Sequence, residues 1–456
     1  VRGNSTPDPA ERPSAPAGSD SSERPIRNPL DPRNPLAGVY LAILLFELAE
    51  GALRFLVPIH LDAQGLRPEQ IGLVVAAFSF ASLLSRGVVG GIYSASRAKW
   101  IIVFAGLGST CAYLLIPFQT SVVVFTVLMA LDGFGWGLAT TSLLALMMVS
   151  TPRTMSPAVA MGWFVGFQSI ALALATTTGG LLAQVFGVQA AMLILATIPV
   201  IGASLIALRL PPPVRELDED APDVETQSSG ADVDVSTRPG RADRVRGTLV
   251  RGFRSVGGLP AAVWAAALVS VYVNVMNGLL QSFYPLLALG LGFSVAQVGT
   301  LSSLRSISSA VSRFGAGWLF SRISPRRLHW PLLILSAGTV ASLPSLVSYV
   351  ATLPAVALNG VARGLLRVTT AADAMEAMQG RQAGLAAAAM TAGLDIGKLI
   401  GPLIGGFVAG AFGLAAMFQI VPLGFLAAYL VLYTLGRRRG RSTTITDAPH
   451  EGGTSA

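Results

Sequence analysis

Residues 47–54 read Glu-Leu-Ala-Glu-Gly-Ala-Leu-Arg within an otherwise apolar run. Spacings of three and four place Glu47, Glu50 and Arg54 on one face of a helix. A carboxyl group removed from water beside a like charge favours its protonated form. Glu47 and Glu50 are therefore candidates to carry a proton, and Asp132, inside another apolar run, joins them. Further along stand Arg305, the pair Arg363 and Arg367, and the pair Asp395 and Lys398, all in apolar surroundings. An arginine offers a planar fork that fits a carboxylate or phosphate, and a buried lysine can lose its proton where arginine cannot. Plainer readings compete. Glu50 with Arg54, and Asp395 with Lys398, fit intrahelical ion pairs. Asp132 or Asp395 would also neutralise Arg363 and Arg367 from across a cleft.

The surroundings of these charges are those of a membrane protein. The 456 residues are 52% hydrophobic and only 12% charged, with a mean hydropathy of +0.62. Soluble domains carry about 25% charged residues. Twelve apolar runs are each long enough to cross a bilayer, which takes about 20 residues as a helix. Backbone in lipid must satisfy its own hydrogen bonds, so these runs are helices. An ionisable group at the centre of a bilayer costs about 2.5–3.5 kcal/mol on insertion scales, so each charge above marks a functional position. The expected architecture is an all-α integral membrane protein. A disordered tail (1–35) precedes a six-helix bundle (36–208), a polar linker (209–258), a second six-helix bundle (259–436) and a tail (437–456).

The two bundles are related by an internal repeat. At an offset of 227 residues, Gly51, Pro58, Gly65, Gln70, Gly72, Arg86 and Gly90 meet Gly278, Pro285, Gly292, Gln297, Gly299, Arg313 and Gly317. Gly133 and Gly137 likewise meet Gly360 and Gly364, and the stretch 179–187 meets 405–413 at an offset of 226. Parallel repeats about an axis along the membrane normal are a transporter plan. At the first offset the face of Glu47, Glu50 and Arg54 corresponds to Asn274, Asn277 and Gln281. One half presents a charged stripe and the other a neutral one. The glycine-rich stretches and Trp136 read as packing elements, and His60, beside an expected loop, reads as solvated.

Most of the 32 Lys and Arg residues fall on one side of this topology. By the positive-inside rule both tails and the linker are expected in the cytoplasm, with the basic residues held against anionic lipid. That placement accounts for the +8 charge without nucleic acid. One Cys and three His exclude a disulfide framework and make a metal cage improbable on composition. No nucleotide-binding P-loop and no catalytic triad is present, so neither a cofactor nor an enzymatic activity is expected.

Residues 317–327 read Gly-Trp-Leu-Phe-Ser-Arg-Ile-Ser-Pro-Arg-Arg, and 90–99 read Gly-Gly-Ile-Tyr-Ser-Ala-Ser-Arg-Ala-Lys. Over about residues 36–437 the chain resembles the major facilitator superfamily, whose loop after the second helix follows G-x-x-x-D-R-x-G-R-R. Both copies here carry Ser94 or Ser321 in place of the acid. Gly397-x-x-x-Gly401-Pro402-x-x-Gly405-Gly406 resembles the glycine-rich antiporter motif of that family, and the first helix looks most like its drug-proton antiporter branch. The resemblance implies a cytoplasmic gate drawing on Arg86, Ser94, Arg313, Ser321 and Arg322. It also implies a central cleft lined by helices one, four, seven and ten and flanked by two, five, eight and eleven. Arg54, Asn274, Asn277, Gln281, Arg305, Arg363, Arg367, Asp395 and Lys398 would face that cleft. The expected function is proton-coupled export of a small amphipathic drug-like molecule or metabolite by a monomeric carrier in the cell membrane. Symport of an organic anion, suggested by the arginines, and a non-transporting receptor of the same fold are the alternatives.

Overall fold

In a computed structural model, residues 30, 34, 36–92, 94–152, 155–209, 261–377 and 383–443 are described. The expected tail at 1–35 and the linker fall almost wholly outside them. Helices one to five are Ala37–Ala63, Pro68–Ile92, Ala95–Leu115, Val122–Ser150 and Pro157–Phe186. Helix six is in two pieces, Val188–Ala196 and Ile198–Arg209. Pro199 lacks the amide that would continue the ladder past Thr197, which turns there and donates its hydroxyl to the Ile194 carbonyl at 2.8 Å. Helices seven to twelve are Ala261–Gly290, Val295–Phe320, Pro325–Ser342, Tyr349–Ala377, Ala383–Phe412 and Leu414–Thr443. The last extends past the expected end at 436.

Among the described residues, seven helices are long and apolar enough to cross a membrane by length and composition alone. Helix one is not among them because Glu47, Glu50 and Arg54 lie together at its middle. Those charges do not meet lipid, since helix one is buried over almost its whole length. The outer surface is apolar instead: Phe104, Phe314 and Phe407 are each more than 60% exposed, as side chains solvated by hydrocarbon would be.

The repeat seen in the sequence is a repeat in space. Helix one ends at Gly65 with φ 78° and helix seven at Gly292 with φ 88°. Both turns close with the same bonds: Leu66 N–H to the Leu61 carbonyl at 3.1 Å, and Phe293 N–H to the Ala288 carbonyl at 3.0 Å. This is a left-handed cap that glycine adopts without penalty. Ser85 and Ser312, which precede Arg86 and Arg313, also match at the repeat offset. Each bonds back to its own helix, to the Ser82 carbonyl at 2.8 Å and the Ser309 carbonyl at 3.0 Å. Each also occupies the place that a Cβ on Gly137 or Gly364 would need. In the same way, a Cβ on Gly133 would strike the Phe78 carbonyl and one on Gly360 the Arg305 carbonyl. Helix four thus lies on helix two as helix ten lies on helix eight, backbone to backbone.

The two halves meet along two symmetric seams. Gly72 of helix two faces Gly406 and Pro402 of helix eleven, and Gly180 of helix five faces Gly299 of helix eight. Thr176 and Thr177 add hydrogen bonds to Ser303 at 2.8 and 2.7 Å. Among the described residues, the glycine contacts between halves lie toward the end that bears the Gly65 and Gly292 turns. Gly397 and Gly401 do not face the other half: a Cβ at either would meet the Val271 or Val275 carbonyl of helix seven, whereas Pro402 and Gly406 of the same motif face helix two. The motif thus packs within the second half at its start and across the seam at its end. Gly137→Ala and Gly364→Ala should therefore each cost about 1–3 kcal/mol, the scale of overpacking. Gly87→Ala, with nothing near its Cβ position, should be neutral or stabilising. Apparent Tm in detergent distinguishes them, and equal Tm values for all three variants would contradict the packing assignment.

Candidate functional site

Helix one positions an acidic cluster in the first half. Glu47 is 1% exposed and its Oε1 accepts a hydrogen bond from Gln168 Nε2 of helix five at 2.7 Å. Glu50 approaches Arg54 Nε at 2.7 Å, an ion pair without a well-aligned hydrogen bond. Its second oxygen accepts from the Tyr113 hydroxyl at 3.1 Å. The intrahelical pairing of Glu50 with Arg54 is therefore present. Asp132 is fully buried beside the hydroxyls of Tyr113 and Ser109, and neither of its carboxylate oxygens has a well-formed hydrogen bond.

The second half answers each acid with an amide. Glu47, Glu50 and Asp132 correspond to Asn274, Asn277 and Asn359 at the repeat offset. Asn274 donates to the Ser270 carbonyl at 2.8 Å. Asn277 accepts from Arg305 Nη2 at 3.1 Å. Asn359 donates to Thr339 Oγ1 at 3.2 Å and more weakly to the Ser336 carbonyl at 3.4 Å. Ser336 is the repeat equivalent of Ser109. Asp132 and Asn359 thus occupy the same niche between the third or ninth helix and its neighbour, one as an acid and one as an amide.

Between the halves lies a cavity of about 170 Å³. Of the residues read as cleft-facing, Arg54, Asn274, Asn277, Gln281, Arg305, Arg363, Arg367 and Lys398 all line it, and so does Glu47. Glu50 and Asp132 do not; they stand behind Arg54. Asp395 lines a smaller neighbouring cavity of about 30 Å³, which shares Arg54, Trp136, Gln281 and Lys398 with the larger one.

Two expected pairings are corrected. Asp395 does not pair with Lys398 and does not neutralise Arg363 or Arg367. It binds Arg86 Nη1 of helix two at 2.8 Å, because helix two lies against helix eleven along the seam and brings an arginine nearer than any other cation. Asp132 also fails to reach Arg363 and Arg367, being enclosed behind Tyr113 and Arg54. Among the described residues neither of these two arginines has a side-chain hydrogen bond or an ion pair. The remaining residues read as gate elements act locally. Ser94 caps helix three by accepting from Arg97 N–H at 3.3 Å. Ser321 donates to the Trp318 carbonyl at 2.7 Å, and Arg322 lies 4.1 Å over the Trp318 ring. Arg313, the repeat equivalent of Arg86, stays on its own helix with Ser309 at 3.2 Å. His60 is buried rather than solvated, edge-on to Phe125 at 6.2 Å.

Several site residues carried little signal in the sequence. Trp136 reads as packing, yet it lines both cavities. Arg54 lies 4.8 Å from its ring, and Arg86 and Lys398 each lie 5.9 Å away, so three cations from three helices share one aromatic face region. Gln168 was detectable as an amide in the middle of an apolar helix. Tyr113, Thr176 and Tyr284 were not, since their hydroxyls acquire meaning only from neighbours.

The model of the Major Facilitator Superfamily matches residues 39–391 and again 275–453. No curated protein matches the chain. Among solved structures, a bacterial homolog of the human lysosomal transporter Spinster, inward-facing and unoccupied, aligns at TM-score 0.70 and 15% identity, covering 92% of this chain and 98% of that one. The nucleoside transporter NupG aligns at TM-score 0.69 and 11% identity, covering 88% and 99%. At these identities the likeness is one of fold. For the Arg86–Asp395 contact, a double-mutant cycle with Arg86→Ala and Asp395→Ala should give a coupling of about 1 kcal/mol or more in stability, as partners in one network do. The corresponding Arg363 and Asp395 cycle should be additive within about 0.5 kcal/mol. The reverse ranking would show that the pairing is misassigned.

Proposed function

The chain belongs to the Major Facilitator Superfamily, and from that premise we propose that it is a proton-coupled secondary carrier of small organic anions. Its family and fold are those of a transporter rather than an enzyme. The anion reading rests on one observation: Arg363 and Arg367 line the cavity with no acid to neutralise them. Of the acids that would have served, Asp395 is bound to Arg86 and Asp132 is buried beside Tyr113 and Ser109. Export of a cationic or neutral amphipathic compound would leave these two charges uncompensated in a low-dielectric site, which is costly.

Proton coupling is assigned to the first half. Glu47 lies in the cavity wall, within reach of a proton that enters with the cargo. Glu50 and Asp132 sit one layer deeper. A protonated carboxyl has nearly the shape of an amide, and the second half carries amides at all three equivalent places. The fold therefore accommodates the neutral form of each. When Glu50 carries a proton it releases its hold on Arg54, which also faces the cavity. Arg54 then becomes available to an anion. Proton and anion each favour the binding of the other, and such coupling is reciprocal. Symport follows, whereas antiport would require cargo and proton to compete. The positive-inside asymmetry supports cytoplasmic tails for this carrier.

Reconstituted vesicles with an imposed pH gradient test both parts. Arg363→Ala should weaken uptake of anionic compounds by about tenfold to a hundredfold, the equivalent of a lost charge-assisted hydrogen bond, and spare cationic ones. A uniform loss for anions and cations would sink the anion reading. Glu47→Gln and Asp132→Asn should abolish accumulation driven by the pH gradient while substrate exchange persists. Continued accumulation in both variants would remove these acids from the coupling step. Failure of the wild-type protein to move any solute would favour a receptor.

A further inference from the structure

We propose that the cargo is a dianion, presenting either a phosphate monoester or two neighbouring carboxylates, rather than a simple monoanion. This deepens the organic-anion reading and rests on it. The cavity wall carries Arg54, Arg305, Arg363, Arg367 and Lys398 against one carboxylate, Glu47. Glu50 neutralises Arg54 from behind, and Gln168 already bonds Glu47. Four cations remain for one acid. Arg305 has one nitrogen on Asn277 and leaves Nη1 buried without a partner. The side chains of Arg363 and Arg367 have no hydrogen bond or ion pair among the described residues, and neither does that of Lys398. One carboxylate offers roughly four acceptor sites, enough for two guanidinium forks. A monoanion would leave a third fork without a counter-charge.

The cations cannot relieve their repulsion by moving apart. Arg363 and Arg367 share a face of helix ten by their spacing of four. Arg305 on helix eight is a charged neighbour of Arg363. Helices eight and ten are held backbone to backbone where Gly360 meets the Arg305 carbonyl itself. The fork-bearing helices are thus pinned at the residue that carries one of the forks. Such a cluster is prepared for concentrated negative charge, as planar bidentate recognition of oxyanions requires. Asn274, Gln281 and Tyr284 in the same wall supply hydrogen bonds to the rest of the cargo.

Binding of three ring-matched probes to the purified full-length protein in detergent tests this: benzoate, phthalate and phenyl phosphate, at a mildly alkaline pH where the last two are dianions. Phthalate or phenyl phosphate should bind about tenfold or more tighter than benzoate, as an added charge-assisted contact implies. Whichever wins identifies the dicarboxylate or the phosphate form. Arg367→Gln should erase the gap, and Arg367→Lys, which keeps the charge, should retain much of it. Benzoate binding as tightly as both dianions would overturn the dianion proposal while leaving the anion reading intact. Benzylammonium binding more tightly than all three would overturn both. An unchanged gap in both Arg367→Gln and Arg363→Gln, or no saturable binding of either dianion, would also overturn the proposal.

Discussion

A charge removed from water must be compensated by another charge, by hydrogen bonds or by a proton, and this constraint organises the interior. In the first half the acids Glu47, Glu50 and Asp132 outnumber the one cation that faces them, Arg54. In the second half Arg305, Arg363, Arg367 and Lys398 outnumber Asp395, which is itself bound to Arg86. The imbalance is opposite in sign on the two sides of one cavity.

The pseudo-symmetry of the fold makes that segregation possible. The two halves share turns, seams and backbone contacts at matched glycines, so equivalent positions occupy equivalent places. Their chemistry has diverged on that common frame. Arg54 corresponds to Gln281, while Phe78, over which Arg54 lies at 4.7 Å, corresponds to Arg305. The cation has moved from one helix of the pair to the other. Asp132 and Asn359 differ by one atom and by a charge. Close packing dictates what must be retained, namely Ser85 with Gly137 and Ser312 with Gly364. The cavity wall dictates what may change.

One contact joins these systems across the halves. Arg86 reaches Asp395 and lies near Trp136, whose ring also neighbours Arg54 and Lys398. A shift of helix two relative to helix eleven would alter all of these at once. Arg54 would feel it through the ring it shares, and so would its pair with Glu50.

Helix count, the twofold repeat and the segregation of charge into the central helices were legible in the sequence, because lipid leaves a backbone no alternative to the helix and makes every interior charge conspicuous. The cleft residues were legible for the same reason: spacings of three and four on helices one and ten define a face without reference to any neighbour. Pairing was not legible. Asp395 is three residues from Lys398 and 309 from Arg86, yet it binds Arg86, since side-chain direction and the seam between helices two and eleven exist only in three dimensions. Nor could a local pattern show that Trp136 borders the cavity, that Gln168 holds Glu47, or that Gly397 and Gly401 face helix seven. The sequence determined which groups must be buried in the membrane. The tertiary structure decided which of them are satisfied within the protein and which are not, because compensation depends on distances between helices that no single helix encodes.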